Sequence, residues 1–302
     1  MPRLSCPDRL AEIRQLCQLE EMDNAISIVL VAHDPVTGLL DLEDLKNKLS
    51  GATAAVYFEN PSYLGVIEDQ GEDITCLAHD KGALSIGGVD PISLGVLRPP
   101  GAYGADLIVG DLQSLGVHMS AGGGQSGFIA FRDEEIYIAE CPLEIYTIMD
   151  TVVEGEYAFA EVRAHRTSYG SRDKGKDWVG TASGLWTIAS AVYLSLMGPA
   201  GMKEIGELIV KNSRYARNLI SSLPGARIQY RQPHFKEFLV NFSDTGKTVA
   251  GINAALLEKK IFGGKDVSAE YPELGNCALF CVTEIHTKED INRLFQALKE
   301  IV

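Results

Sequence analysis

The chain has 302 residues, 46% of them hydrophobic, and carries 27 Lys and Arg against 41 Asp and Glu, a formal net charge of −14. That length can bury a large core, in two domains or in one large α/β domain with an appendage, without disulfide or metal staples. The acidic balance argues against nucleic acid as the main partner and against a polybasic membrane anchor, because clustered Lys and Arg bind both.

Cysteine usage and hydropathy indicate where the protein resides. Six cysteines are scattered along the chain without a CxxC pair, which is typical of free thiols in a reducing compartment. Charged residues recur near Met1 before any apolar run develops, so we expect no signal peptide. The longest apolar stretches fall short of the roughly 20 residues that a membrane span needs. We therefore expect a cytoplasmic globular protein that contacts no membrane.

The first half of the chain alternates helical and strand patterns, which predicts a mostly parallel sheet flanked by helices. Helices are predicted at about 8–21, from Asp41 onward and at 73–81. Strands are predicted from β-branched and apolar runs at 26–32, 53–58, 83–86 and 105–109. Because few strands precede the change of pattern, we expect the N-terminal part of the large domain to be missing.

The second half begins with helix. Residues 178–222 are predicted as two helical pieces hinged at Gly198-Pro199, with an apolar stripe at Ile188, Val192, Tyr193 and Leu196 of the kind that more often packs in a core. A compact α/β pattern follows, with strands at 227–230, 238–242 and 277–282, and helices at 247–258 and 287–301. Thr287 with Asp290 resembles a capping box at the start of the last helix. We expect a large domain over 1–177, linking helices over 178–223 and a small domain over 224–302.

Three catalytic signatures fail when their spacing is counted. Gly246-Lys247-Thr248 lacks the first glycine of a P-loop, and Gly124-Gln125-Ser126-Gly127 has Phe128 where a nucleophile elbow has its last glycine. No GxGxxG follows a predicted strand, which argues against a Rossmann dinucleotide site. The six histidines lack paired ligand spacing, so we expect no metal site.

Turn-rich segments follow the predicted strands, where open parallel sheets bind ligands. One runs from Asn60-Pro61 to Asp69, and another runs from Asp111 through Gln113-Ser114 to the glycines at 122–124. Successive glycines leave backbone N–H groups free to approach an anion, although a turn that needs positive φ explains them more simply.

Five segments, in order along the chain, carry a family resemblance. They are Phe58–Asp69 (FENPSYLGVIED), Leu97–Gly116, Gly122–Glu134, Ala189–Leu208 and Lys265–Ile291. Together they resemble subunit 1 (the α or N-terminal half) of glycine decarboxylase, the P-protein of the glycine cleavage system, in its split two-subunit form. The ordered set is far more specific than any one segment, and it matches roughly the C-terminal two-thirds of that subunit.

The resemblance implies the fold of type I pyridoxal-phosphate enzymes, with a small C-terminal α/β domain after the large one. It also implies a part in glycine decarboxylation, in which an aminomethyl group passes to the lipoyl arm of the H-protein. By this resemblance Gln113-Ser114 stands where the catalytic half carries a His-Lys pair, and the acid for the pyridine nitrogen falls near Ile86, with Asp90 close by. Because Ser114 cannot form a Schiff base, we expect no catalytic residue in this chain.

The resemblance therefore implies a non-catalytic subunit of glycine dehydrogenase (decarboxylating), an oxidoreductase of glycine catabolism. Its partners would be the lysine-bearing subunit 2 (β), which holds the pyridoxal phosphate in a heterotetramer, and the lipoylated H-protein. The residues expected at the interface or in the partner's tunnel are Asn60, Pro61, Gln113, Gly123, Gly124, Arg172 and Lys174. For the basic segment that holds the last two, a solvated loop is an equally good explanation.

Two other functions remain open. A stand-alone type I pyridoxal-phosphate enzyme of the aminotransferase class, with an unconventional lysine, would show a visible Schiff-base band. A degenerate, non-enzymatic assembly protein would fail to stimulate subunit 2. The subunit hypothesis itself predicts an exposed apolar face, because a stable partner surface measures at least ~1,000 Å².

Overall fold

The computed structural model describes residues 1–17, 26–119, 126–177 and 183–302. The helices of these residues are α1 (Pro7–Cys17), α2 (Leu42–Lys48), α3 (Gly71–His79), α4 (Glu135–Glu140), α5 (Ser168–Ser171), α6 (Gly184–Ile220), α7 (Val249–Glu258) and α8 (Lys288–Ile301). The strands are β1 (Ala55–Glu59), β2 (Leu84–Val89), β3 (Leu107–Asp111), β4 (Gly127–Phe131), β5 (Tyr146–Asp150), β6 (Tyr157–Glu161), β7 (Arg227–Ile228), β8 (Glu237–Asn241), β9 (Lys265–Asp266) and β10 (Cys277–Cys281).

The chain divides into two compact units. One combines residues 1–129 with 186–302 and holds the two four-stranded sheets, except for the last two residues of β4. The other comprises residues 130–185 and holds α4, α5 and the hairpin of β5 and β6. The domain boundaries expected at residues 177 and 223 stay a prediction.

The first sheet has the order β1-β2-β3-β4, and its first three strands run parallel. Helix α3 connects β1 to β2 and buries Ile74 and Ala78 against Val56 and Phe58. Because parallel strands start at one edge and end at the other, the loops that follow them meet along the carboxyl edge. The strands predicted at 53–58, 83–86 and 105–109 are confirmed within a few residues.

The strand predicted at 26–32 is wrong. Residues 26–30 join no ladder, and the segment makes only an isolated bridge between Val31 and Pro2. Ile26 and Val29 are exposed. A β-branched run becomes a strand only where a neighbouring strand offers its backbone and a core accepts its side chains, and in this run Val31 alone is both bridged and buried.

Helix α6 confirms the two helical pieces hinged at Gly198-Pro199. Gly198 has φ 59°, a conformation that favours glycine, and Pro199 then starts the second piece. Among the described residues, α6 is the one helix long and apolar enough to cross a membrane by length and composition. The break divides that apolar stretch, and the piece before Gly198 is shorter than the roughly 20 residues that a span needs.

The second sheet is antiparallel, in the order β7-β8-β10-β9. Side chains from α6, α7 and α8 share one core with its strands, and the largest of the fully buried ones are Ile220, Phe238, Phe242, Ile252, Leu256 and Leu298. Helix α8 begins with the predicted capping box. The backbone N–H of Asp290 donates to Thr287 Oγ1 at 3.1 Å, and that of Thr287 donates to Asp290 Oδ2 at 3.0 Å.

Candidate functional site

The loops that follow β1, β2 and β3 carry polar side chains at the carboxyl edge of the parallel sheet. Asn60 follows β1, Asp90 follows β2, and Ser114 lies in the turn after β3. The backbone N–H of Asn60 donates to the carbonyl of Gly88 at 2.8 Å. Ser114 Oγ donates to Asp90 Oδ1 at 3.3 Å. The residue expected at the Schiff-base position thus lies against a carboxylate.

Asp90, rather than Ile86, supplies the acid at this edge. Ile86 lies in the middle of β2, where it is paired with Tyr57 on one side and Leu107 on the other. Asp90 directly follows the strand, and its Oδ1 also accepts the backbone N–H of Ile92 at 3.1 Å, which starts a short 3-10 turn. The turn and Ser114 together fix the orientation of this carboxylate.

A lysine from the antiparallel sheet completes the site. Lys236 immediately precedes β8, and its Nζ lies 2.5 Å from Asp90 Oδ2 and 3.8 Å from Glu237 Oε1. Cys281 Sγ, at the end of β10, donates to Glu237 Oε1 at 3.6 Å. We call Asp90, Ser114, Lys236, Glu237 and Cys281 the Asp90 cluster. Sequence reasoning missed its last three members, because no motif surrounds Lys236 and the contact joins two sheets.

Burial and charge set the protonation of the cluster. Burial disfavours the ammonium of Lys236, but Glu237 and Asp90 together outweigh burial and hold the pKa of Lys236 above its usual value. Burial, opposed by Lys236 and assisted by Asp90, raises the pKa of Glu237 to about 7. Near neutral pH the site therefore contains a charged pair, Lys236 with Asp90, beside a carboxyl group that gains or loses a proton.

These residues do not fit pyridoxal phosphate. The cofactor needs a lysine amine for its aldehyde and an acid for its pyridine nitrogen, two groups at opposite ends of the ring. Ser114 has no amine. Lys236 pairs with the acid itself, so it cannot reach the aldehyde of a ring that Asp90 holds, and its raised pKa keeps it protonated and non-nucleophilic.

The loop after β1 is fixed by contacts within the chain. Asn60 is buried, and its Oδ1 accepts the backbone N–H of Glu68 at 3.2 Å. Pro61 is half-buried and follows a cis peptide bond. Gly65 has φ +88°, and a Cβ there would lie 2.0 Å from the carbonyl oxygen of Glu237, so only glycine allows this approach. The loop thus packs against the start of β8, next to the Asp90 cluster.

The remaining site residues of this edge follow β3. Gln113 is half-buried, and its Nε2 donates to the carbonyl of Val117 at 3.0 Å, which stabilises the turn that holds Ser114. Gly123 and Gly124 lie outside the described residues. A contribution of any of these side chains to a partner's tunnel stays a prediction.

Arg172 and Lys174 lie in the unit of residues 130–185, both exposed, in a short turn after α5. The basic segment that precedes them is partly built into this unit. Arg166 is buried and donates to the carbonyls of Cys141, at 2.7 Å, and Leu143. The segment is therefore a folded element with internal partners, from which Arg172 and Lys174 extend into solvent.

The hairpin of β5 and β6 presents a face of aromatic and aliphatic side chains, with Asp150 and Glu161 at its two ends. Ile148 is paired with Phe159 in the antiparallel register, and Tyr146 and Tyr157 lie on the same face because side chains alternate along a strand. Ile148 is 65% exposed and Phe159 81% exposed. We call these four residues the hairpin face. Clustered exposed apolar side chains of this kind mark an interaction surface.

The first piece of α6 is also exposed. Ile188, Val192 and Leu196, spaced four residues apart on one side of the helix, are all exposed. The expectation that their stripe packs in a core is wrong, although Tyr193 does contact the core around Leu115 and Ile209. Apolar spacing indicates a face that is covered by something, and in the described residues this face is not covered within the chain.

The chain is similar in sequence to proteins of one family. Residues 22–298 match the family model of the glycine cleavage system P-protein. The probable glycine dehydrogenase (decarboxylating) subunit 1 of Staphylothermus marinus is 38% identical over 277 residues, which are 92% of this chain and 59% of that protein. The protein of the same name from Pyrococcus horikoshii is 33% identical over 302 residues, 100% of this chain and 65% of that protein. The chain thus spans about three-fifths of the length of the curated relatives it matches.

Solved structures agree in fold. A crystal structure of glycine decarboxylase (P-protein) of the glycine cleavage system, in inhibitor-bound form, has a TM-score of 0.86 and 33% identity, covering 99% of this chain and 64% of that one. A sphingosine-1-phosphate lyase from Burkholderia pseudomallei has a TM-score of 0.68 and 17% identity, covering 99% and 62%. The predicted fold class, that of type I pyridoxal-phosphate enzymes, is confirmed.

Proposed function

Because this chain belongs to the glycine cleavage system P-protein family, we propose that it acts as the non-catalytic subunit of a glycine dehydrogenase (decarboxylating). Relatives that are named subunit 1 are, by that name, parts of an enzyme with more than one subunit. The observation that carries the proposal is the hydrogen bond from Ser114 to Asp90, at the edge where a catalytic chain needs a free lysine amine.

In this proposal the chemistry belongs to the lysine-bearing subunit 2. Pyridoxal phosphate is held there, glycine is decarboxylated there, and the aminomethyl group passes from there to the lipoylated H-protein. The present chain completes that site in a cytoplasmic heterotetramer. Its candidate contributors to the partner's tunnel are Asn60, Pro61, Gln113, Gly123, Gly124, Arg172 and Lys174.

The hairpin face supports the proposal from a second direction. A two-stranded hairpin is at best marginally stable in water unless something packs on it. In this hairpin the four side chains of the hairpin face are all exposed. A partner subunit that covers this face, as part of an interface of at least ~1,000 Å², would bury side chains that the chain leaves in solvent.

Mixing the chain with subunit 2 and measuring glycine-dependent exchange of CO2 tests the proposal. We expect no exchange from this chain alone and a strong increase when it is added to subunit 2. Phe159→Glu should prevent the increase, because it places a charge in the hairpin face. Phe262→Glu is the matched control, since Phe262 is also highly exposed but lies in the other unit.

The other functions predict different results. An unaltered chain that folds but does not stimulate subunit 2 would favour a non-enzymatic assembly protein. A visible absorbance band from the chain alone, lost on borohydride treatment, would favour a stand-alone pyridoxal-phosphate enzyme. Either result would overturn the proposed function.

A further inference from the structure

We infer that Lys236 is an internal cation for Asp90 and that this chain therefore excludes pyridoxal phosphate. The ammonium of Lys236 occupies the position beside Asp90 that the pyridine nitrogen of the cofactor would occupy. The inference rests on the proposed function and adds to it the residue that carries out the exclusion. The loss of a lysine at position 114 removes only the covalent bond to the cofactor. It leaves an acid at the carboxyl edge that a protonated ring could still contact.

Each carboxylate oxygen of Asp90 has a polar or charged neighbour, although Oδ2 accepts no hydrogen bond and is contacted through its ion pair alone. Oδ1 accepts from Ser114 Oγ at 3.3 Å and from the backbone N–H of Ile92 at 3.1 Å. Oδ2 faces Lys236 Nζ at 2.5 Å. The Asp90 side chain is 15% exposed and that of Lys236 is 23% exposed, so the pair is largely shielded from water. A ring nitrogen could reach Asp90 only by displacing the ammonium.

The electrostatics favour the internal cation. A buried carboxylate without a counter-charge is strongly unfavourable, so a chain that retains Asp90 and binds no cofactor needs another cation there. Lys236 supplies it, and Glu237, with its Oε1 3.8 Å from the same ammonium, adds a second favourable interaction. A protonated pyridine ring would bring a like charge next to the ammonium and compete with it for one carboxylate.

The packing of the two sheets places Lys236 beside Asp90, so the exclusion of the cofactor follows from the fold. Lys236 precedes β8 of the antiparallel sheet, and its backbone carbonyl accepts the N–H of Val282 at 2.9 Å. Asp90 follows β2 of the parallel sheet. The ion pair therefore joins the two sheets across the carboxyl edge, where ligands bind in open α/β sheets.

Restoring the amine with and without Lys236 tests the inference. Ser114→Lys alone, and Ser114→Lys combined with Lys236→Met, are incubated with pyridoxal phosphate. An amine and the aldehyde condense with loss of one water, borohydride reduces the product, and peptide mass spectrometry measures the label at position 114. We expect the double variant to be labelled about tenfold more than the single variant, because Asp90 becomes free to hold the ring nitrogen.

Two further variants isolate the charge. Ser114→Lys with Lys236→Arg keeps the cation, and we expect labelling as weak as in the single variant. Ser114→Lys with Lys203→Met is the matched control, because Lys203 forms an exposed ion pair with Glu207. Thermal unfolding of every variant monitors folding, and Lys236→Gln replaces Lys236→Met if the latter does not fold.

The outcomes separate this inference from the function it rests on. Equal labelling of the single and double variants would overturn the inference alone, since the unaltered chain would still lack the cofactor and stimulate subunit 2. Labelling of the unaltered chain at Lys236 would overturn both.

Discussion

The antiparallel sheet and the hairpin of residues 146–161 contain similar side chains in opposite surroundings. Phe238 on β8 is 2% exposed and stacks on Phe280 with ring centroids 5.9 Å apart. Phe159 on β6 is 81% exposed, and its cross-strand neighbour Ile148 is 65% exposed. The sheet shares a core with α6, α7 and α8, while the described residues of the hairpin's unit leave its face open. The antiparallel sheet buries its aromatic side chains within the chain, whereas the hairpin leaves its own in solvent.

The largest expected effect contrasts the two phenylalanines directly. Phe238→Ala should lower the free energy of unfolding by about 3–5 kcal/mol, because it removes a buried ring and leaves a cavity. Phe159→Ala should lower it by no more than about 1 kcal/mol, the range of one cross-strand pair. Denaturant titration of both variants measures the difference. Equal losses would mean that the hairpin face is part of the chain's own core.

The second effect is a pH dependence at the junction of the sheets. Burial raises the pKa of Glu237 from its ordinary 4.5 to about 7, with Lys236, Asp90 and Cys281 facing it. The folded chain thus binds this proton more tightly than the unfolded chain does. The resulting stability is fully present below about pH 4.5 and is lost as the pH rises through about 7.

Glu237→Gln should remove that dependence, which amounts to roughly 3 kcal/mol. Denaturant titrations at about pH 5 and about pH 8 give the change for the unaltered and variant chains. Glu207→Gln, on the exposed side of α6, is the control and should leave the pH dependence as it is. If the Glu237→Gln variant retained the full pH dependence of the unfolding free energy, another titrating group would be responsible for it.

A smaller effect concerns the helix that covers the antiparallel sheet. Thr287→Ala removes the side-chain half of the capping box of α8 and should cost about 1 kcal/mol. Thr287→Ser keeps an acceptor oxygen for the N–H of Asp290 and should cost clearly less. Thermal unfolding of the two variants measures the contribution of the cap. Equal melting temperatures for both would contradict it.

The smallest effect on stability belongs to the hairpin face. Ile148→Lys should change the free energy of unfolding by less than about 0.5 kcal/mol, because the side chain already lies in solvent. The same variant should associate with subunit 2 much more weakly than the unaltered chain in analytical ultracentrifugation. Unchanged association would show that subunit 2 binds to a different surface of the chain.

Local signals in the sequence predicted much of the fold. Helix–strand alternation indicated the parallel strands, Gly198-Pro199 indicated the break in α6, and Thr287 with Asp290 indicated the start of α8. Each signal depends on residues that are neighbours in the chain, so it can be interpreted without knowledge of the tertiary structure. The strand expected at 26–32 and the core stripe ending at Leu196 failed for the opposite reason. Apolar patterns show that a face avoids water, but not what covers it.

The candidate site was predictable only in part. The family resemblance indicated Ser114, and the structure then brought Asp90 to it. Lys236 could not be found in the same way, because it belongs to a different sheet and meets Asp90 only after both sheets have formed. Ion pairs between distant segments leave no periodic trace in a sequence.

The proposed division of labour between this chain and subunit 2 can be measured directly. The chain and subunit 2 are mixed with pyridoxal phosphate, reduced with borohydride and separated, and mass spectrometry identifies which chain retains the cofactor. The account predicts that the reduced cofactor is found on subunit 2 alone. Reduced cofactor bound to any lysine of the present chain would contradict it.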